Sequence, residues 1–350
     1  MNGKKKAVVL LVPGFPADEK DTTCIPPLQQ FCITFSLLRP DIQLQIISFQ
    51  YPDKRGYYLW NRIPVYSVGG KRHKYNRFFT WARVFIQLLK IRRENNLVII
   101  NSFWMTECAL VGQWFARLFK IKHVVCVSGQ DALKTNKYLS VIDFSKMEII
   151  AMSESLRSHF LDATGVKIKH IIPSGIDVSK IKQTRDRRAI DILGVGALTP
   201  LKNYSLFTEV IYELKKNFPQ IKASIIGKGE QEYILQENIE KYKLENNLEL
   251  LGELPHDTVF SYMQKSKILL HTSTYEGQST VMMEALACGL TIVCLNVGRV
   301  HAEGKIWICS GKEEMINKLK ELMVVPLNHQ PVVLMTNDDT VKAFFKVYEI

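Results

Sequence analysis

The 350-residue sequence predicts an α/β protein made of two doubly wound parallel-sheet domains in succession. Three observations predict it. Short apolar runs of strand length alternate with segments of helical spacing, the signature of parallel sheets with crossover helices. The rhythm restarts near residue 181. The charge changes at the same place: residues 1–180 hold 26 Lys/Arg against 13 Asp/Glu, and residues 181–350 hold 20 against 21. An apolar content of 47% and a charged content of 23% describe an ordinary globular chain and exclude a disordered one.

The first run, "KAVVLLV", ends in Pro13-Gly14 and reads as a buried strand. Helices are expected at Ile25–Leu38, Arg77–Arg93, Thr106–Phe119 and Glu154–Thr164. Between and after them come the strands "IQLQIISF", "LVIINS", "HVVCVSG", "EIIAMS" and "KHIIPSG". The second half repeats the pattern with the strands "DILGVGAL", "KASIIGKG", "NLELLGEL", "KILLHTS", "TIVCLN" and "GKIWICS". Its helices are "NYSLFTEVIYELKKNF", "EQEYILQENIEKYKL", "HDTVFSYMQKS" and Ser279–Cys288. The charged segment Ile181–Arg188 reads as the linker. The expected domains are 1–180, joined by a last helix at about 337–350, and 181–336, facing a cleft.

No stretch approaches the roughly 18 apolar residues of a membrane span. The run Ala7–Val12 is too short for a signal peptide. Seven cysteines without CxxC spacing read as reduced core thiols of a cytoplasmic protein and give no metal site. Basic residues concentrate in Lys54–Arg93, interleaved with aromatics. Within it, Phe78, Trp81, Phe85, Leu88 and Leu89 fit one helical face. That face is either core with a solvated basic side, or a contact with an anionic membrane surface. Nucleic-acid binding is the third and least favoured reading.

Ligands of open α/β sheets bind beyond the carboxyl ends of the strands. The loops there are Pro13–Pro16, Ser128–Asp131, Ser174–Asp177, Gly196–Asn203, Gly227–Gly229, Gly252–Leu254 and Thr274–Thr280. The last leads into "TYEGQSTVMMEALACG", which sets Glu276 and Glu284 in an otherwise apolar stretch. Ser279 and Thr280 suit a helix N-cap. The amides behind them, with the helix dipole, make an anion site suited to a diphosphate. Glu284, with no Lys or Arg three or four positions away, can accept hydrogen bonds from a ribose diol. Lys202 on the same rim can neutralise a leaving diphosphate. Together these residues describe a nucleotide-sugar site.

The segment resembles the Glu-x7-Glu motif of retaining glycosyltransferase family 4, whose members have the two-Rossmann GT-B fold. "GVGALTPLKNYSLF" looks like that family's Gly-Arg-x5-Lys segment, and "AMSESLRSHF" followed by "IIPSGID" is similar to its Ser-Glu helix and Pro-Asn-Gly-Ile-Asp turn. "VPGFPADEKDTTCIPPLQQF" resembles its first glycine loop, and "DDTVKAFFKVYEI" the helix that crosses back onto the N-terminal domain. The resemblance implies that Glu276 stabilises the reacting sugar, Glu284 binds the ribose and Lys202 the diphosphate. Gly14, Gly196, Asn203 and Gly277 would line the donor, with the amides of Gln278, Ser279 and Thr280. Leu254 would meet the base through its backbone. The donor would be a nucleotide-diphosphate sugar, and no metal or other cofactor would be needed. The acceptor would be a polysaccharide or lipid-linked glycan, as in polysaccharide and lipopolysaccharide biosynthesis, at the inner face of the cell membrane.

The sequence departs from the family pattern at Ala197, where an arginine is usual and for which Arg299 is a candidate substitute. It departs at Ser128, where a histidine is usual and whose role would pass to Gln130 or Asp131. It departs again at Gln278-Ser279, in place of Phe-Gly. The alternatives are a nucleotide-sugar epimerase on the same fold and a non-catalytic nucleic-acid-binding module using the basic half.

Overall fold

The structure is a computed structural model that describes residues 3–70, 77–181, 188–298, 302 and 304–350. It divides into two compact units, Met1–Gly175 with Asn337–Ile350, and Ile176–Thr336. The first break falls a few residues before the one expected from charge. Ile176 is already tied to the second unit, its amide donating to the Met335 carbonyl at 3.1 Å. Of the expected linker, residues 182–187 lie outside the described ones, as do Arg299 and residues 71–76 of the basic segment.

The first unit opens with β1 (Lys6–Gly14), α1 (Pro26–Leu38), β2 (Gln43–Tyr51), β3 (Gly56–Trp60) and β4 (Ile63–Ser67). It continues through α2 (Arg77–Glu94), β5 (Asn96–Phe103), α3 (Glu107–Phe119), β6 (Lys122–Val127), β7 (Glu148–Ala151), α4 (Glu154–Thr164) and β8 (His170–Ile171). The strand order is β3-β4-β2-β1-β5-β6-β7-β8. Ala7–Val12 are wholly buried, because a central parallel strand is covered on both faces and so needs a continuous apolar run.

One edge differs from the expected parallel sheet. β3 pairs antiparallel with β4 through a turn at Asn61 and Arg62, both at positive φ, a geometry that matches the twist of a two-residue hairpin. "YYLWNRIPVY" lacks the Asn-Gly that usually signals such a turn, so the hairpin is hidden inside the basic stretch. The face of α2 also differs. Thr80, Val84, Leu88 and Ile91 are buried, whereas Phe78 and Leu89 are exposed and Trp81 and Phe85 half-buried.

The second unit holds β9 (Ile190–Val195), α5 (Tyr204–Lys215), β10 (Ala223–Ile226), α6 (Glu232–Lys241) and β11 (Leu248–Leu250). Then follow α7 (His256–Gln264), β12 (Ser266–His271), α8 (Thr280–Ala287), β13 (Thr291–Leu295), β14 (Ile306–Cys309) and α9 (Lys312–Met323). All six strands are parallel, in the order β11-β10-β9-β12-β13-β14. The order reverses between β9 and β12, which makes their carboxyl ends the topological switch point where such sheets bind ligands. The last helix, α10 (Asn337–Tyr348), returns to the first unit, where Phe344 meets Phe31 of α1 at 4.8 Å between ring centres.

Candidate functional site

The switch point of the second unit brings together Lys202 and Glu276, seventy-four residues apart in sequence. Lys202 ends a short 3-10 turn, Pro200–Lys202, in the loop after β9. Asn203 follows at φ 49°, a conformation asparagine tolerates well, and it starts α5. Two threonines of the loop after β12 fix this turn. Thr272 donates its hydroxyl to the Lys202 carbonyl at 2.8 Å, and the Thr274 amide donates to the Leu201 carbonyl at 2.8 Å. The two loops therefore hold one another, and the Lys202 ammonium forms a short ion pair with the Glu276 carboxylate.

Beneath this pair lies His271, the last residue of β12 and only 4% exposed. Its Nε2 is 3.2 Å from Glu276 Oε1 and 3.1 Å from the Ser279 hydroxyl. Burial by itself would push the Glu276 carboxyl up. The hydrogen bond to His271 and the charge of Lys202 outweigh burial and hold it at about 2. Glu276 is thus a fixed anion near neutral pH, able to accept hydrogen bonds.

Ser279 occupies the N-cap of α8, as its position in the sequence suggests, but its hydroxyl makes no cap bond. It is engaged by His271 instead. The first amides of any α-helix have no partner within the helix. At α8 the N-cap side chain takes none of them, so they remain suited to an anion. Gly298 completes this corner at φ 69°. A β-carbon there would stand 3.1 Å from Glu276 Cβ and 3.4 Å from the Ser279 amide nitrogen, so only glycine passes without crowding the helix start.

Two glycines explain how the Lys202 loop comes to be where it is. Gly227 lies at φ 151°, and a β-carbon on it would lie 1.9 Å from the Gly196 carbonyl oxygen. Gly196 is likewise at φ 148°, packed against Tyr204 and the stem of Lys202. The "GKG" turn is therefore a buttress for the Gly196–Asn203 loop. Ala197 is exposed on that loop, and its neighbour Leu198 donates its amide to the Lys228 carbonyl at 3.0 Å.

Glu284 is buried in α8, and one of its oxygens lies 2.8 Å from His256 Nε2. Its own helix offers no cation to pair with, and the partner instead begins α7. His256 in turn packs on Phe260 at 4.8 Å. Leu254, just before α7, is half-buried against the core under α8. Gly277 is buried, Gln278 reaches the Met283 sulfur at 2.9 Å, and Thr280 is half-buried.

Gly14 and Asp131 belong to the first unit. Gly14 ends β1 beside Tyr51, whose Cβ would stand 3.3 Å from an added β-carbon. Asp131 is 6% exposed, and its carboxylate is occupied by backbone amides: Met105 at 2.8 Å, Gly129 at 2.7 Å and Ser128 at 3.1 Å. Burial raises its pKa, and these amides only partly offset that. The geometry is that of a side chain that shapes its loop. Sequence reasoning missed His271, Gly298 and His256. A histidine in a strand, a glycine after one, and a histidine at a helix start carry no distinctive spacing.

Residues 176–305 match the family model described as glycosyl transferases group 1. The chain is 31% identical over 201 residues to one subunit of the human phosphatidylinositol N-acetylglucosaminyltransferase, covering 53% of this chain and 42% of that one. It is 25% identical over 271 residues to the gpi3 subunit of the same transferase from Schizosaccharomyces pombe, covering 73% of this chain and 59% of that one. The chain thus spans about half the length of these relatives. Among solved structures, sucrose-phosphate synthase from Thermosynechococcus elongatus superposes with a TM-score of 0.75 at 13% identity, over 98% of this chain and 94% of that one. That likeness shows the two-Rossmann GT-B fold. The segment that carries Lys202, Glu276 and Glu284 is the part of the chain that matches glycosyl transferases group 1.

Proposed function

We propose that the protein is a retaining glycosyltransferase that moves a sugar from a nucleotide-diphosphate donor to a lipid-linked or polysaccharide acceptor. The observation that carries this reading is the convergence of Lys202, Glu276 and the uncapped start of α8 at the switch point of the second sheet. The diphosphate would accept hydrogen bonds from the first amides of α8 and from the Lys202 ammonium. These supply the positive charge a leaving diphosphate needs, so no metal enters the scheme. Glu276, fixed by Lys202 and His271, would hold the transferred sugar by its hydroxyls. Glu284 would accept from the ribose, oriented by His256. Departure and attack would take place on one face of the sugar, with the leaving phosphate as base, which keeps the anomeric configuration.

The names of the relatives favour N-acetylglucosamine as the sugar and a phospholipid headgroup as the acceptor. A lipid acceptor places the protein peripherally on a membrane. No helix among the described residues is long and apolar enough to cross one.

The test is calorimetric binding of UDP-, GDP-, ADP- and CMP-sugars to the purified chain, with product stereochemistry read by NMR. One nucleotide diphosphate should bind, and Lys202→Met should weaken it at least tenfold. Binding of none, or an inverted product, would overturn the proposal.

A further inference from the structure

The face of α2 turned away from the sheet is as apolar as the face turned toward it. Thr80, Val84, Leu88 and Ile91 are buried. On the opposite side Phe78, Phe79, Ile86 and Leu89 are 77%, 67%, 53% and 40% exposed. At 3.6 residues per turn these four fall within an arc of about 100°, centred opposite the buried stripe. A helix that only covers a core would place charge there. The patch continues on α3, where Trp114 is 46% exposed and its ring stands 5.6 Å from Trp81, which meets Phe78 at 5.3 Å. Single exposed apolar side chains are common, but a contiguous cluster marks a contact surface.

The border of this patch is mainly cationic, with the exposed Glu94 at the end of α2 as its acidic member. Arg83 and Lys90 are exposed along one edge, and Arg93 lies within the arc at its far end. On the other edge the Arg92 guanidinium sits 4.4 Å over the Phe119 ring. No Asp or Glu occurs from Lys54 to Arg93.

We propose that this face of α2 lies in the surface of an anionic lipid bilayer, its aromatic and aliphatic side chains among the acyl-chain ends and its arginines and lysines among the headgroups. An apolar centre with a cationic rim is the composition of an interfacial helix. A second copy of the chain fits poorly, since facing patches would set like charges against each other. Nucleic acid fits poorly too, because phosphates seek cations at the centre of a footprint and the centre here is apolar. The proposal deepens the lipid-acceptor reading above, and its test reads membrane binding without any transfer reaction.

The experiment is sedimentation of the full chain with vesicles of phosphatidylcholine alone, and with about a third phosphatidylglycerol. Binding should require the anionic lipid and weaken with salt. Phe78→Ser with Phe79→Ser should lower the vesicle affinity at least tenfold. Arg83→Glu with Lys90→Glu should lower it by about tenfold or more on anionic vesicles. Both variants should stay folded, because the serine pair loses only the Phe78–Trp81 ring contact and the glutamate pair only the long Arg83 bond to the Val68 carbonyl, and melting curves check this. Binding by the double serine variant equal to the parent's would overturn the proposal. So would an absence of vesicle binding, or a parent that dimerises or binds an oligonucleotide through this face instead. A chain that binds a nucleotide sugar but no vesicle loses only the membrane surface. A chain that binds vesicles but no nucleotide sugar loses only the donor site.

Discussion

Ser279 stands at the N-cap of α8, yet its hydroxyl faces His271 Nε2 at 3.1 Å and leaves the helix start uncapped. A serine in this position normally satisfies one of the first amides of its own helix. Here His271 holds the serine back and braces Glu276 through the same nitrogen. On the proposed function, one buried ring thus leaves the helix start open for a diphosphate and braces the carboxylate beside it.

The His271→Leu variant should show both roles. The leucine relieves the unpartnered Nδ1, but it also removes the hydrogen bond that helps hold Glu276 as an anion, so the melting temperature at neutral pH should fall. The freed Ser279 hydroxyl can then cap α8 and compete with a diphosphate. Nucleotide-sugar affinity should fall about tenfold, the scale of one hydrogen bond to a charged group. Transfer should fall further, because Glu276 loses its brace. Calorimetry and initial rates on one preparation check both. Unchanged affinity and rate would assign His271 to packing alone.

Glu276 makes a pH-dependent contribution whose sign is fixed by its shift. Its folded value of about 2 lies below the ordinary 4.5, so the carboxylate stabilises the fold above the ordinary value, and that contribution is lost as pH falls toward 2. The contribution is on the order of 3 kcal/mol. Glu276→Gln should therefore be less stable than the parent at neutral pH, and the gap should close between about pH 5 and pH 2. Urea denaturation of both proteins at several pH values measures it. A gap that stays constant with pH would mean that Glu276 is not held as an anion.

The fold was legible where local pattern and tertiary need agree. Buried parallel strands such as β1 demand continuous apolar runs, and those runs can be read directly. The β3–β4 hairpin was not legible, because Asn61 and Arg62 take the left-handed turn without the glycine that announces it. On α2 the periodicity was plain but its phase was not, since both faces are apolar and only packing decides which is buried. At the site, Lys202, Glu276 and Glu284 stood out because charged groups in apolar or glycine-rich stretches need a reason. His271 and His256 did not, because their importance lies in a partner far away in sequence.

Gly227 tests whether the buttress positions the Lys202 loop. An alanine there must adopt φ 151° and place its β-carbon 1.9 Å from the Gly196 carbonyl oxygen. Backbone atoms cannot move aside cheaply, so Gly227→Ala should destabilise the second unit by about 3 kcal/mol or more. Gly252, also at positive φ but with open space around its would-be β-carbon, is the control. Gly252→Ala should cost only the backbone strain, about 1 kcal/mol. Denaturant midpoints decide, and equal losses at the two positions would remove the buttress.

Asp131 offers a choice between a chemical and a structural carboxylate. Oδ2 accepts from the Met105 amide at 2.8 Å, and Oδ1 from the Gly129 amide at 2.7 Å. An asparagine in either orientation must point its NH2 group at one of these donors. Asp131→Asn therefore loses at least one hydrogen bond and sets donor against donor, which should cost about 2 kcal/mol. The loss should be visible as faster hydrogen exchange at Met105 and Gly129, while nucleotide-sugar affinity in the second unit stays at the parent's value. A residue that handled the sugar or acceptor would behave the other way. Transfer would collapse while exchange at the loop stayed slow, and that result would restore Asp131 to the chemistry.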